Sequence, residues 1–141
     1  MKIVIRILVL ILISVAIFFV IRFNFTKEYE FKSINYSEYT GLKENIGTNL
    51  VYITSNELNI EEFEKTLLKI FGEKNKDVNK LDITDENEFS LLVTDEDFAN
   101  YFGNEPVFPT LIILKNNEIV GNITRASEKT ILEKLNELGI E

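Results

Sequence analysis

The segment from Glu105 to Gly121 constrains the fold of this chain most. Thr110 to Leu114 is an uninterrupted run of aliphatic and β-branched residues, which is typical of a strand buried on both faces. Asn116 and Asn117 follow it, and both tolerate the left-handed backbone that a two-residue hairpin turn requires. The segment therefore predicts a core strand that turns back and pairs antiparallel with Ile119–Val120.

Pro109 directly precedes this strand. At the first position of a strand, a proline removes an N–H group where the sheet needs it least. Its neighbours are the aromatic residue Phe108 and Thr110, which begins the predicted strand. The Phe108–Pro109 bond is therefore the place in the chain where we look for a cis peptide.

The composition excludes several classes of activity. The 141 residues include no cysteine and no histidine. Without cysteine the chain forms no disulfide, has no thiol nucleophile and cannot hold an iron–sulfur cluster. Without histidine it lacks the commonest metal ligand and the usual proton shuttle at neutral pH. The formal net charge of −8 repels nucleic acid. We therefore expect no catalytic residue for thiol redox or common hydrolytic chemistry, no cofactor, no metal ion and no nucleic-acid partner.

Acidic clusters are the remaining pattern that could indicate a metal site. They lie at residues 61–64, 85–88 and 95–97. Each cluster begins a predicted helix, where the helix dipole favours carboxylates, and none has the spacing of an EF-hand loop. We therefore interpret them as ordinary helix N-termini.

An apolar segment lies near the N-terminus. Ile7 to Ile21 contains no charged residue, and its extension to residues 3–25 supplies the roughly 20 residues that a bilayer span requires. A cleaved signal peptide is the alternative interpretation, but no cleavage site with small residues follows the segment. The sequence predicts a transmembrane signal anchor over residues 1–25, which contacts the lipid bilayer through residues 3–25, and a separate domain over residues 26–141.

The orientation of this anchor depends on the charges that flank it. Lys2 and Arg6 on one side are nearly matched by Arg22 and Lys27 on the other, so the positive-inside rule separates the two orientations only slightly. We expect a single-pass protein of the cell membrane, with its N-terminus in the cytoplasm and its C-terminal domain outside.

Capping residues and apolar spacing define the other elements. Asn59 and Glu62 predict a capping box, and an apolar stripe that begins at Phe63 predicts a helix ending at Gly72. The remaining predictions are strands near residues 31–34, 49–54 and 77–83, helical segments that begin near residues 35, 84 and 94, and a final helix over residues 128–138 capped by Ser127. The apolar run from Phe89 to Val93 fits more than one structure and stays unassigned.

The sequence from residue 107 onward resembles the C-terminal half of thioredoxin-like domains. Val107-Phe108-Pro109-Thr110 matches their pattern of an apolar residue, a cis-proline, a threonine and then a strand, followed by a hairpin and an amphipathic helix. The order β-α-β-α-β-α-β-β-α extends the resemblance over most of residues 31–141. It implies an α/β fold, with a mixed sheet flanked by helices. The chain is most similar to the small secreted or anchored thioredoxin-like proteins of bacteriocin and secretion systems in Gram-positive bacteria.

The resemblance stops at the redox motif. In thioredoxin-like proteins the junction between strand and helix carries Cys-x-x-Cys, and here those positions correspond to Glu57 and Ile60, within a residue or two. What the resemblance still implies is a groove that binds an extended peptide. Its residues would be Asn56, Glu57 and Ile60 on one side, facing Val107, Phe108 and Pro109. Phe108 would be either an exposed aromatic of this groove or a packed core residue, and the sequence leaves both alternatives open.

These observations lead to an expectation about function. The chain is predicted to be a membrane-anchored, redox-inactive thioredoxin-like domain that acts as a binding or scaffold component of a cell-envelope assembly of the secretion, bacteriocin or conjugation type. The alternative is a cysteine-free accessory partner or modulator of a thiol–disulfide oxidoreductase. In both cases the expected partners are proteins of the cell envelope, and the chain itself is not expected to be an enzyme.

Overall fold

The computed structural model describes residues 2–25, 29–55, 60–103 and 106–141, and in its first helix it describes the side chains of residue 7 and residues 9–20. The elements follow one another in the order α1 (Lys2–Phe25), β1 (Lys32–Ile34), α2 (Tyr36–Lys43), β2 (Thr48–Thr54), α3 (Glu61–Glu73), β3 (Asn79–Asp82), α4 (Glu86–Thr94), α5 (Glu96–Phe102), β4 (Thr110–Lys115), β5 (Glu118–Thr124) and α6 (Glu128–Glu137).

Five strands form one mixed sheet in the order β1-β3-β2-β4-β5. β3 runs parallel to both β1 and β2, whereas β4 is antiparallel to β2 and to β5. Asn116 and Asn117 form the turn between β4 and β5 with φ angles of 51° and 75°, in the left-handed region that asparagine tolerates. The predicted mixed sheet and its hairpin are confirmed.

β4 is an interior strand of the sheet, between β2 and β5, and it is buried on both faces. Thr110 to Leu114 are all buried, as predicted, and alternate side chains point to opposite faces of a sheet. Leu111 and Ile113 join an apolar cluster with α3 and α6. Ile112 and Leu114 join a second cluster with α2, α4 and α5. The sheet is thus covered by helices on both faces, and α4 and α5 shape the second face.

Three helix N-termini show how local chemistry sets the element boundaries. At α2, the Asn35 side chain accepts from the N–H of Glu38 while the Glu38 carboxylate accepts from the N–H of Asn35, a reciprocal capping box. At α4 and α5, the side chains of Asp85 and Asp95 accept hydrogen bonds from main-chain N–H groups in the first turn of each helix. The unassigned run from Phe89 to Val93 therefore belongs to α4, whose two turns are too short for apolar periodicity to identify.

The start of α3 differs from the sequence-based expectation. Its N-cap is Ile60, which makes no side-chain capping bond. Asn59, the predicted cap, lies outside the described residues. The helix itself is as predicted, with Phe63, Leu67 and Ile70 buried on one face.

The N-terminal helix α1 has a 24-residue backbone, and the described side chains on it are exposed. Judged on the described residues, no helix of the chain has both the length and the apolar character needed to cross a membrane.

Candidate functional site

One end of the sheet brings the predicted site residues together. β2 and β3 end side by side, with Thr54 opposite Asp82. β4 starts at the same end, where Thr110 lies opposite Ile53 of β2 and Thr124 of β5. The loop that leads into β4 therefore lies beside the end of β2, from which the chain leads to α3. We call this end of the molecule, formed by the ends of β2, β3 and β5 and the start of β4, the site edge.

The loop of residues 106–109 has one exposed and one buried side chain. The Phe108–Pro109 bond, where the sequence suggests looking for a cis peptide, is cis. The Val107 side chain is 57% exposed, whereas Phe108 is only 7% exposed. Val107 therefore presents an apolar side chain to solvent at the site edge.

Phe108 is a core residue. Its ring lies parallel to that of Phe98, with 6.4 Å between centroids, and meets the ring of Phe89 edge-on at 6.2 Å. Phe98 belongs to α5 and Phe89 to α4, so the two helices after β3 provide its packing partners. Of the two alternatives, the exposed groove aromatic is wrong, because these helices cover the ring.

The main chain of the same loop contacts a residue that the sequence analysis did not identify. The Arg125 guanidinium donates from Nη2 to the carbonyl oxygen of Phe108 at 3.1 Å. Arg125 follows β5 directly, with φ at 41°, a left-handed conformation that is uncommon for a residue other than glycine. No pattern in the sequence marks an arginine for this contact, since the bond is to a main-chain atom 17 residues away.

A cavity of about 480 Å³ adjoins Arg125. It lies between the first turns of α3 and the connection from β5 to α6. Its lining residues are Glu62, Phe63, Thr66, Arg125, Ala126, Ser127 and Glu128. The cavity extends the site edge beyond the residues predicted from sequence.

The predicted groove residues are described only in part. Ile60 is half-buried at the start of α3, and Pro109 is buried at the start of β4. Asn56 and Glu57 lie outside the described residues. A groove between these two sides therefore stays a prediction, with Val107 as the exposed side chain of its described part.

The described part of this edge has no cluster of side chains suited to a metal ion. Across residues 2–25, 29–55, 60–103 and 106–141, no group of three or more carboxylate side chains is arranged to hold a metal ion. The edge can offer an apolar side chain, main-chain hydrogen-bonding groups and carboxylates, which are the means of binding a polypeptide.

A partly buried ion pair holds α2 to α5. Lys43 Nζ lies 2.8 Å from an Asp95 carboxylate oxygen and 2.6 Å from one of Asp97. Burial lowers the pKa of Lys43, but the hydrogen bonds to Asp95 and Asp97 raise it more, so its pKa is above the ordinary value. Asp95 also caps α5. This ion pair therefore fixes the helix that carries Phe98.

Tyr39 lies beside this ion pair and is fully buried. Its hydroxyl has no hydrogen-bond partner within the described residues. Burial, reinforced by the charges of Asp95 and Asp97, raises the pKa of Tyr39 above its ordinary value. The folded state thus holds the phenol proton at pH values where the unfolded chain releases it.

We expect Tyr39→Phe to raise the free energy of unfolding near neutral pH by about 1 kcal/mol, because it removes a buried hydroxyl without a partner. The native protein should lose stability as the pH rises above about 10, where Tyr39 ionises in the unfolded chain first. Lys43 acts in the same direction, since its stabilisation is present below its unfolded pKa and is lost as the pH rises through the folded one. Urea unfolding across this pH range should show a shallower alkaline loss for Tyr39→Phe.

The matched control is Tyr101→Phe, because the Tyr101 side chain is 41% exposed. This change should alter the free energy of unfolding by no more than about 0.5 kcal/mol. An alkaline profile of Tyr39→Phe identical to that of the native protein would contradict the assignment.

Comparison with known proteins identifies the fold. No protein-family model matches the chain, and no curated protein matches its sequence. The structure is similar to thioredoxin f2 of Chlamydomonas reinhardtii, with 12% identity and a TM-score of 0.61 over 79% of this chain and 99% of that one. It is also similar to thioredoxin of Trypanosoma brucei brucei, with 13% identity and a TM-score of 0.58 over 82% of this chain and 96% of that one. A third similar structure is mitochondrial thioredoxin 3 of Saccharomyces cerevisiae, with 12% identity and a TM-score of 0.56 over 76% of this chain and 94% of that one. At such identities the similarity shows the fold alone: this chain has a thioredoxin-like fold.

Proposed function

We propose that the protein is a redox-inactive, membrane-anchored thioredoxin-like domain that acts as a binding or scaffold component of a cell-envelope assembly. The observation that carries this proposal is the absence of cysteine from a chain with this fold. Thiol–disulfide exchange requires attack of a thiolate sulfur on a disulfide sulfur. The only sulfur in this chain is that of one methionine. What remains at the site edge is a surface for binding.

The chemistry of the site edge supports polypeptide binding. Val107 is more than half exposed. Its neighbour Phe108 anchors the same loop, because the Phe108 ring packs on that of Phe98 in the core. Arg125 holds the main chain of the same loop. An exposed apolar side chain on a loop anchored in this way is presented to a partner with little loss of conformational entropy on binding.

The membrane anchor is supported by the sequence of α1. By sequence, residues 3–25 supply about the 20 residues that a bilayer span requires. The uncharged stretch from Ile7 to Ile21 lies between Arg6 and Arg22, a residue type whose long side chain suits the surface of a bilayer. The described side chains of the helix, at residue 7 and residues 9–20, are apolar apart from Ser14, and they are exposed. In this proposal the lipid bilayer covers them, and the domain lies outside the cytoplasm.

The resemblance of the sequence extends the proposal to a class of assembly. It supports a place among the small anchored or secreted proteins of Gram-positive secretion, bacteriocin or conjugation systems.

A second function, modulation of a thiol–disulfide oxidoreductase, is favoured by the coverage of the solved thioredoxins, of which 94% to 99% is matched. A cysteine-free protein of that shape could occupy the surface where an oxidoreductase binds its thioredoxin.

Site-specific cross-linking in membranes tests the binding function. A photoreactive amino acid is placed at position 107 of the full chain, and a matched one at position 120, where Val120 is 37% exposed on β5. We expect covalent products with a protein partner from position 107 and few from position 120. Mass spectrometry of the products then separates a structural envelope protein from an oxidoreductase. Equal yields from both positions would contradict binding at the site edge.

Two further measurements test the other parts of the proposal. The full chain should not reduce insulin or isomerise disulfides, and activity at an appreciable rate would contradict redox inactivity. Protease added to intact protoplasts that carry the chain should digest the domain beyond residue 27. Complete protection would reverse the proposed orientation.

A further inference from the structure

All the charged residues in the segment from Leu81 to Leu114 are acidic. It contains eight aspartate or glutamate residues and no lysine or arginine. Within the described residues its ion pairs are those of Asp95 and Asp97 with Lys43. The other described carboxylates of the segment, at Asp82, Asp85, Glu86, Glu88 and Glu96, have no cationic partner there. Five carboxylates of this segment thus lack a cationic partner within the described part of the chain.

The topology places three of these carboxylates at the site edge. Asp82 is the last residue of β3 and lies opposite Thr54, the last residue of β2. Asp85 and Glu86 follow a few residues later, where Asp85 caps α4 and Glu86 is its first residue. All three side chains are exposed. The loop of residues 106–109 enters β4 at this same end, so one side of the site edge has an acidic rim.

Apolar side chains lie between this rim and the loop. Phe89 is one helical turn after Glu86, on the same side of α4, and it remains 41% exposed although its ring touches that of Phe108. Val107 is 57% exposed on the adjoining loop. The described part of this edge thus has two exposed apolar residues, Phe89 beside Glu86 on α4 and Val107 on the adjoining loop. Among the described residues at this end, Arg125 is a cation, and one of its bonds is to the carbonyl of Phe108.

We propose that the site edge binds a cationic polypeptide segment, in which lysine or arginine residues meet Asp82, Asp85 and Glu86 while an apolar residue between them packs on Phe89 and Val107. This inference rests on the proposed binding function and names the chemistry of the partner. Charge complementarity selects the occupant. A second copy of this chain would bring another acidic surface, and anionic lipid or nucleic acid would be repelled.

The test uses the full chain in detergent and three synthetic peptides of equal length. Each peptide alternates leucine with one polar residue, which is lysine, glutamine or glutamate. We expect fluorescence anisotropy to show binding of the lysine peptide, weaker binding of the glutamine peptide and none of the glutamate peptide. Binding of the lysine peptide should weaken with added salt, because the Debye length falls to about 8 Å near 0.15 M.

Two double variants with the same change in net charge locate the interaction. Asp82→Asn with Glu86→Gln should weaken binding of the lysine peptide about fivefold, the change that two exposed ion pairs supply. Asp85 is left intact because it caps α4. The matched control is Glu73→Gln with Glu118→Gln, at exposed positions on the opposite end of the sheet, and it should bind as the native chain does. Val107→Ser should weaken binding of all peptides that bind.

The outcomes separate this inference from the proposed function. Binding of the glutamine or glutamate peptide as tight as that of the lysine peptide would overturn the cationic partner and leave binding at the site edge intact. An equal loss in both double variants would also overturn it, since it would show attraction by net charge alone. If no peptide binds and position 107 gives no cross-linked partner, both the inference and the proposed function fail.

Discussion

Leu111→Asp is expected to abolish cooperative folding of the domain. Leu111 is completely buried in β4, where it lies opposite Tyr52 of β2 and Ile123 of β5. Loss of a buried leucine side chain costs about 2–5 kcal/mol, and an unpaired carboxylate in its place adds a desolvation penalty of several kcal/mol more. Together these costs approach the whole stability of an ordinary domain, about 5–15 kcal/mol. Near-ultraviolet circular dichroism should lose its fine structure, and urea unfolding should lose its sigmoidal transition.

The matched control for this variant is Val120→Asp, on the neighbouring strand. Val120 is 37% exposed, so its carboxylate would stay in contact with water. Its transition should move little, by about 0.5 kcal/mol or less. A sharp native-like transition for Leu111→Asp would show that β4 is not the centre of the core.

The buried strand β4 could be predicted because its evidence is local. A run of five apolar or β-branched residues, Thr110 to Leu114, is bounded by a proline and an Asn-Asn pair, and each of these features acts on the backbone beside it. The same holds for Asn35 and Ser127, which cap α2 and α6 with their own side chains. In these elements the determining contacts lie within a few residues, and sequence and structure agree.

The site residues depended on contacts between distant elements. The burial of Phe108 depends on Phe98 and Phe89, which are supplied by two helices. One of these helices, α4, was not assigned over Phe89 to Val93, because a short apolar run fits both a strand and a buried helix. Arg125 reaches a main-chain carbonyl, and no side-chain pattern encodes such a contact. The sequence therefore identified the loop but not which of its side chains faces solvent.

Phe108→Ala is expected to lower the free energy of unfolding by about 3–5 kcal/mol, the range for truncating a buried phenylalanine. The ring is 93% buried by its neighbours, as its 7% exposure shows, and it joins α4 and α5 to the loop before β4. Removal leaves a cavity between the rings of Phe98 and Phe89, which lose their contact with it. Urea unfolding of the full chain should show the midpoint falling with little change of slope.

The comparison with Val107→Ala separates packing from binding on adjacent residues. Val107 is 57% exposed, so its truncation should change the free energy of unfolding by about 0.5 kcal/mol or less. If Val107 contacts the partner, the same variant should nevertheless lower the yield of partner captured from membranes. Unchanged stability in Phe108→Ala would contradict its place in the core. Unchanged capture in Val107→Ala would remove the exposed apolar contact on which binding at the site edge is proposed to depend.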